Sequence, residues 1–179
     1  DAKFRGLFND TISSNPEKGK IYNGIVKQID GEKVGFFGLT TEETRHISNP
    51  ASIAFKNSVE EAKKAVTAFE KMGVNKIVAI THLGFNNDFN LASAVEGIDI
   101  IVGGHTHTQL AQPIVVDQNG TPTIIVQAGQ NNEYLGTVDV EFNHKGDIVR
   151  YDGKLIKIAD KAEDPNAAMM LRAYKARIN

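Results

Sequence analysis

Asn75-Lys76-Ile77-Val78-Ala79-Ile80-Thr81-His82-Leu83-Gly84 and, one helix-length segment later, Ile98-Asp99-Ile100-Ile101-Val102-Gly103-Gly104-His105-Thr106-His107-Thr108 decide how this chain reads. Asn75 to Ile80 and Ile98 to Val102 are short apolar, β-branched runs, the pattern of buried strands, and each stops at a polar turn that carries histidine. The segment between them, Asn87 to Glu96, has the length of a crossover helix, so the two strands are expected side by side and parallel. His82, His105 and His107 then leave strands at the carboxyl edge of an open α/β sheet, where such sheets bind ligands. Gly103-Gly104 lets the backbone turn sharply or approach a ligand closely. A His-x-His can present two imidazoles to one metal centre or to two adjacent ones.

Outward from this stretch the elements are plain. Ile21 to Gln28 and Lys33 to Leu39 flank Asp30-Gly31, a hairpin signal, and the second strand runs into the loop Thr40 to His46. Ser58-Val59-Glu60-Glu61 has the form of a capping box. Val59, Ala62, Ala65, Val66, Phe69 and Met72 then recur at helical spacing up to Gly73, which predicts one helix with its stripe toward the core. Asp88 is placed to cap the helix Asn87 to Glu96. Beyond Thr108 the pattern is β: Pro113 to Val116, a turn at Gln118-Asn119-Gly120, Thr123 to Gln127, Leu135 to Phe142, Asp147 to Tyr151 and Lys154 to Ile158. Asp1 to Lys20 reads as irregular. From Asp164-Pro165 a helical pattern runs through Ala167, Met170, Leu171, Tyr174 and Ile178.

Composition narrows the function classes. With 179 residues and 41% hydrophobic content there is enough chain for one core, and a formal charge of −2 gives no electrostatic case for a nucleic-acid duplex or a membrane surface. Zero cysteines exclude disulfides and thiolate metal sites. No signal peptide and no apolar run long enough to span a membrane is present in these residues.

The motifs THLG at 81–84, Asp88, Leu91-Ala92 and GIDIIVGGHTHT at 97–108 resemble the bacterial 5'-nucleotidase and 2',3'-cyclic-nucleotide 2'-phosphodiesterase branch of the calcineurin-like metallophosphoesterases. The likeness extends through Lys33 to Thr44, Val126-Gln127-Ala128-Gly129 and Tyr134-Leu135-Gly136, nearly the whole chain. It implies an α/β fold, a partial four-layer α/β/β/α sandwich without its N-terminal strands. Residues 1–160 would be the C-terminal portion of the phosphoesterase domain. Residues 161–179 would be a helix leading to a separate nucleotide-binding domain.

The resemblance also implies ligands. His82 and His105 would hold one metal and His107 the other, within a centre of two divalent ions drawn from Zn, Mn, Mg, Ca or Fe. The family takes its other ligands from an Asp-x-His, a bridging Gly-Asp and a Gly-Asn-His-Glu. This chain has no Asp-x-His, and its one Asn-His, Asn143-His144, lies between two strand-like runs and reads as a solvent-exposed hairpin turn. The chain is therefore expected to begin after those segments, with Asp1 not the start of the encoded protein. The catalytic acid would lie among them too, so no catalytic residue is assigned to this chain.

Three imidazoles can bind zinc, copper or nickel, but without a bridging carboxylate two cations repel uncompensated. These residues alone are expected to have little or no phosphatase activity. The parent would hydrolyse nucleotide phosphate esters, in an extracellular, cell-wall or periplasmic setting by family likeness. An unpaired sheet edge would invite pairing with the N-terminal half or with a second copy. The alternative is a non-catalytic metal-binding or scaffold module that keeps half a site. A ligand-binding α/β domain of periplasmic type gives no reason for Gly-Gly-His-x-His. Two residues stay open between roles. His46 is favoured as a solvated loop residue over a substrate contact, and Asp99 either orients a ligand histidine or serves the strand alone.

Overall fold

The computed structural model describes residue 4, residues 6–159 and residues 161–177, so Asp1 and Ile178 lie outside the described residues. In chain order the elements are β1 (Phe8–Ser13), β2 (Ile21–Ile29), β3 (Glu32–Thr40), α1 (Thr44–Ile47), α2 (Ser58–Lys71), β4 (Ile77–His82), α3 (Phe85–Ala94), β5 (Ile100–Val102), β6 (Ile114–Gln118), β7 (Thr121–Val126), β8 (Tyr134–Phe142), β9 (Ile148–Lys157) and α4 (Pro165–Lys175). Seven strands form one mixed sheet in the order β1-β2-β3-β4-β5-β7-β6, and β8-β9 is a separate hairpin. The α/β class read from the sequence is the class of this fold. The run β3-β4-β5-β7 is parallel, which aims four carboxyl ends at one edge.

Burial alternates along β4, where Ile77, Ala79 and Thr81 are buried while Ile80 and His82 are exposed on the other face. The buried face meets α2 and α3 in a core that includes Phe37, Ala62, Val66, Phe69, Leu91, Ile101 and Ile125. Phe69 fits because Gly24 and Gly35 carry no Cβ: one built there would lie 2.8 and 2.7 Å from its ring. Removing that ring would cost about 3–5 kcal/mol. The hairpin lies against the other face, where Gly153 approaches Pro113 and Gly136 approaches Ala128.

Several expectations hold. Asp30-Gly31 and Asn119-Gly120 both have positive φ, as two-residue hairpin loops require. His144 is exposed in the β8–β9 turn, whose form is set by Asn143 Oδ1 accepting from the amides of Lys145 and Asp147. His46 is exposed.

Others need correction. The supposed irregular segment contains β1, which pairs parallel with β2 and borrows its regularity from that neighbour rather than from its own pattern. The loop after β3 contains the single turn α1. Helix α2 is capped one residue earlier than expected, by Asn57 Oδ1 accepting from Glu60 N at 3.1 Å. Helix α3 starts at Phe85 with Gly84 at its N-cap, so Asp88 is one turn inside and caps nothing. Strand β9 runs through Asp152-Gly153 without a break, because that glycine serves close packing against Pro113 instead of a turn.

Candidate metal centre

β4 ends on His82 and β5 ends one residue before Gly103-Gly104-His105. Because β4 and β5 are adjacent and parallel, with Ile80 opposite Val102, the two turns open side by side. The imidazoles of His82 and His105 stand with ring centroids 5.0 Å apart and planes at 60°. Two imidazoles on one tetrahedral ion, with metal–nitrogen bonds of about 2.0–2.1 Å, place their rings at roughly this separation. Gly104 makes the approach possible: a Cβ there would lie 3.1 Å from His82 Nδ1. On its other side His105 meets Glu43, with Nε2 and Oε2 3.0 Å apart.

The loop is held in an unfavourable backbone form. His105 has φ 79° and His107 φ 56°, the left-handed region, which costs a residue with a Cβ about 1–2 kcal/mol. The restraint comes from beneath. Gln127 Oε1 accepts from Thr108 N at 2.6 Å, and Thr106 Oγ1 accepts from Phe85 N at 3.0 Å. Thr81 Oγ1 donates to Asp88 Oδ1 at 2.6 Å, tying the residue before His82 to α3. Asp88 is fully buried, and burial pushes its carboxyl up to about 6 despite the Thr81 bond. Its Oδ2 and Gln127 Nε2 are buried without hydrogen-bond partners, and both lie against Gly103, within 2.3 and 3.0 Å of where a Cβ would stand.

The structure thus brings two of the three expected ligands together. His107 is exposed and does not join the pair, and among the described residues no three His, Cys, Asp or Glu side chains converge enough to hold an ion. Asp99 is not beside any of these histidines. It sits at the amino end of β5, where its Oδ2 accepts from Ile77 N at 2.6 Å, so it serves the strand.

A Bacillus subtilis trifunctional nucleotide phosphoesterase protein, YfkN, is 43% identical over 92% of this chain, which spans 12% of that protein. A snake venom 5'-nucleotidase from Crotalus adamanteus is 34% identical over 94% of the chain, 31% of its own length. In three dimensions a 5'-nucleotidase precursor from Thermus thermophilus superposes with TM-score 0.82 at 35% identity, over 94% of this chain and 38% of that one. Nearly the whole chain is thus homologous to a part of the 5'-nucleotidases. It spans about a third or less of the curated relatives named here. No family model matches the sequence. No helix among the described residues is long and apolar enough to cross a membrane.

Sequence reasoning missed the role of Glu43, which stood inside the Lys33 to Thr44 likeness but was read only as part of a charged loop; its value lies in where β3 ends relative to β5. It misassigned Asp88 as a cap, although an aspartate seven residues after a strand-end threonine is the spacing the Thr81 bond uses. Gln127 stood inside a recognisable motif, but nothing in its neighbours reveals that its amide supports the loop at Thr108.

Proposed function

We propose that this chain is part of a two-metal phosphoesterase that hydrolyses nucleotide phosphate esters, as a 5'-nucleotidase, a 2',3'-cyclic-nucleotide phosphodiesterase or both. The observation that carries the reading is the His82–His105 pair, two imidazoles from adjacent strand ends at the separation a shared ion requires. The names of the relatives, nucleotidases and a nucleotide phosphoesterase, support the substrate class.

In this reading His82 and His105 hold one divalent ion and His107 contributes to a second, with the remaining donors coming from outside these 179 residues. Bound metal would polarise the phosphoryl oxygens and lower the pKa of an attacking water. The chain's own residues bind and orient. Gly103 and Gly104 keep the floor of the site free of side chains, Asp88 and Gln127 support the turn that carries His105 and His107, and Glu43 flanks the pair. Imidazole donors suit zinc or iron better than calcium or magnesium. Among the described residues no third His, Cys, Asp or Glu side chain converges on the pair enough to hold an ion, so neither a bridging carboxylate nor an acid for the leaving group is assigned to these residues. The 179 residues by themselves therefore hold metal through a partial site and turn over little. The venom relatives support a setting outside the cytoplasm for the parent.

The test is metal content of the purified chain by elemental analysis, with His105→Ala alongside, and turnover of bis-p-nitrophenyl phosphate in added manganese. Metal retained by the chain and lost in the variant, without steady turnover, is the expected result. Turnover dependent on His105 would contradict the half-site. A chain that retains no metal under any loading would favour a scaffold that keeps the fold alone.

A further inference from the structure

The turn that follows β3 carries a carboxylate, Glu43, aimed at the His82–His105 pair, and its placement is too well secured to be that of a free surface chain. Thr41, buried, donates its amide to the carbonyl of His82 at 3.0 Å, which docks the loop onto the end of β4. Thr41 Oγ1 then accepts from Glu43 N at 3.2 Å, and Thr44 Oγ1 donates to Thr41 O at 2.7 Å. From the other side Glu42 Oε1 accepts from Ser58 N at 3.1 Å, fastening the loop to the first turn of α2. The backbone of Glu43 is thus fixed relative to His82, and its Oε2 lies 3.0 Å from His105 Nε2.

An ionised carboxylate only accepts hydrogen bonds, and a neutral imidazole has one N–H and one bare nitrogen. The contact therefore requires the proton on Nε2, and leaves Nδ1 with the lone pair. We propose that Glu43 is a positioning residue: it holds His105 in the Nε2–H tautomer and so selects Nδ1 as the atom offered to metal. Histidine ligands commonly give their second nitrogen to such a partner, which fixes ring orientation and raises basicity. This rests on the reading of His105 as a ligand, but the tautomer itself exists in the metal-free chain and is measured there.

As a mere surface ion pair, with the Glu43 side chain 63% exposed, the contact would leave tautomer and metal affinity unchanged when removed. The experiment is ¹⁵N imidazole NMR of the metal-free chain in alkaline buffer, with E43Q, E43A and E43K, followed by titration with zinc alone. The wild type is expected as the Nε2–H form. E43Q, which can still accept from Nε2–H, keeps it. E43K, which can only donate, moves the proton to Nδ1. Zinc affinity falls about 10- to 100-fold in E43A and by less in E43Q. An Nδ1–H form in the wild type, or an Nε2–H form that persists in E43K, overturns the inference whatever zinc does. If the tautomers respond as expected but zinc does not bind the wild type, the ligand reading fails and the positioning of the ring by Glu43 stands.

Discussion

At the amino ends of β4 and β5 the buried polar groups have partners. Asp99 accepts from Ile77 N, Lys76 Nζ lies 3.0 Å from both Glu32 Oε2 and Asn75 Oδ1, and Thr123 donates to Ile98 O at 2.7 Å. At the carboxyl ends of the same strands the hydrogen bonding is incomplete. Asp88 Oδ2 and Gln127 Nε2 are buried and unpartnered, two histidines sit at positive φ, and two imidazoles face each other with no third His, Cys, Asp or Glu among the described residues converging on them enough to hold an ion. An unmade buried hydrogen bond costs about 1–3 kcal/mol, so the carboxyl edge draws on stability supplied by the rest of the fold. Strain and unmet valence gather at functional sites, and the asymmetry marks the carboxyl edge without appeal to its histidines.

Filling the crowded end should break the comparison most visibly. In Gly103→Ala the new Cβ would stand 2.3 Å from Asp88 Oδ2, a buried carboxylate with no free room to turn. Overpacking of this kind costs about 1–3 kcal/mol, and parting Thr81 from Asp88 adds to it, for a loss of about 3–4 kcal/mol in urea unfolding. A loss below about 1 kcal/mol would mean that Asp88 and Gln127 do not rigidly support the turn at Gly103.

Asp99 sharpens the other end. Burial, the largest influence, raises its carboxyl to about 7, with Asp147 adding to the rise and the Ile77 amide and Lys76 opposing it. A carboxyl whose folded pKa lies above its unfolded value binds more protons when folded, so stability falls as pH rises from about 4 to about 7 and is level above that. The Tm of the chain should decline across this window from this group. Asp99→Asn, which keeps an acceptor for Ile77 N, should flatten the decline and gain about 2 kcal/mol at pH 8. An unchanged profile in the variant would remove Asp99 as its source.

Gly104→Ala separates site from fold. Its Cβ would meet His82 Nδ1 at 3.1 Å, which a slight rotation of the imidazole relieves, and the Thr81 carbonyl at 3.4 Å, an ordinary van der Waals contact. Stability should change by about 1 kcal/mol or less, while zinc affinity falls about tenfold because the His82 ring turns from its partner. Equal effects at Gly103 and Gly104 would erase the distinction between floor and ligand.

These cases also mark what the sequence disclosed. The β4 and β5 runs, the α2 stripe and the hairpin signals Asp30-Gly31 and Asn119-Gly120 were legible because each depends on residues within one element. Strand β1 was not, since its regularity comes from β2, and neither was the unbroken path of β9 through Gly153, since the reason lies on Pro113. At the site His82, His105 and His107 announced themselves by spacing. That two of them meet while the third stands apart, and that Glu43 reaches His105 from another strand, is set by sheet order.

The smallest expected effect comes from the histidine that spacing alone discounts. His144 is exposed in a turn whose hydrogen bonds are made by Asn143. Replacing His144 with alanine removes neither a buried surface nor a turn-forming group, so stability should shift by less than about 0.5 kcal/mol. Metal content should match the wild type, where His105→Ala loses it. If His144→Ala lowered metal content as much, retention would reflect adventitious binding to any accessible imidazole. The pairing of His82 with His105 at the strand ends would then lose its meaning, because a ring on a solvated hairpin would serve as well as one held at the sheet edge.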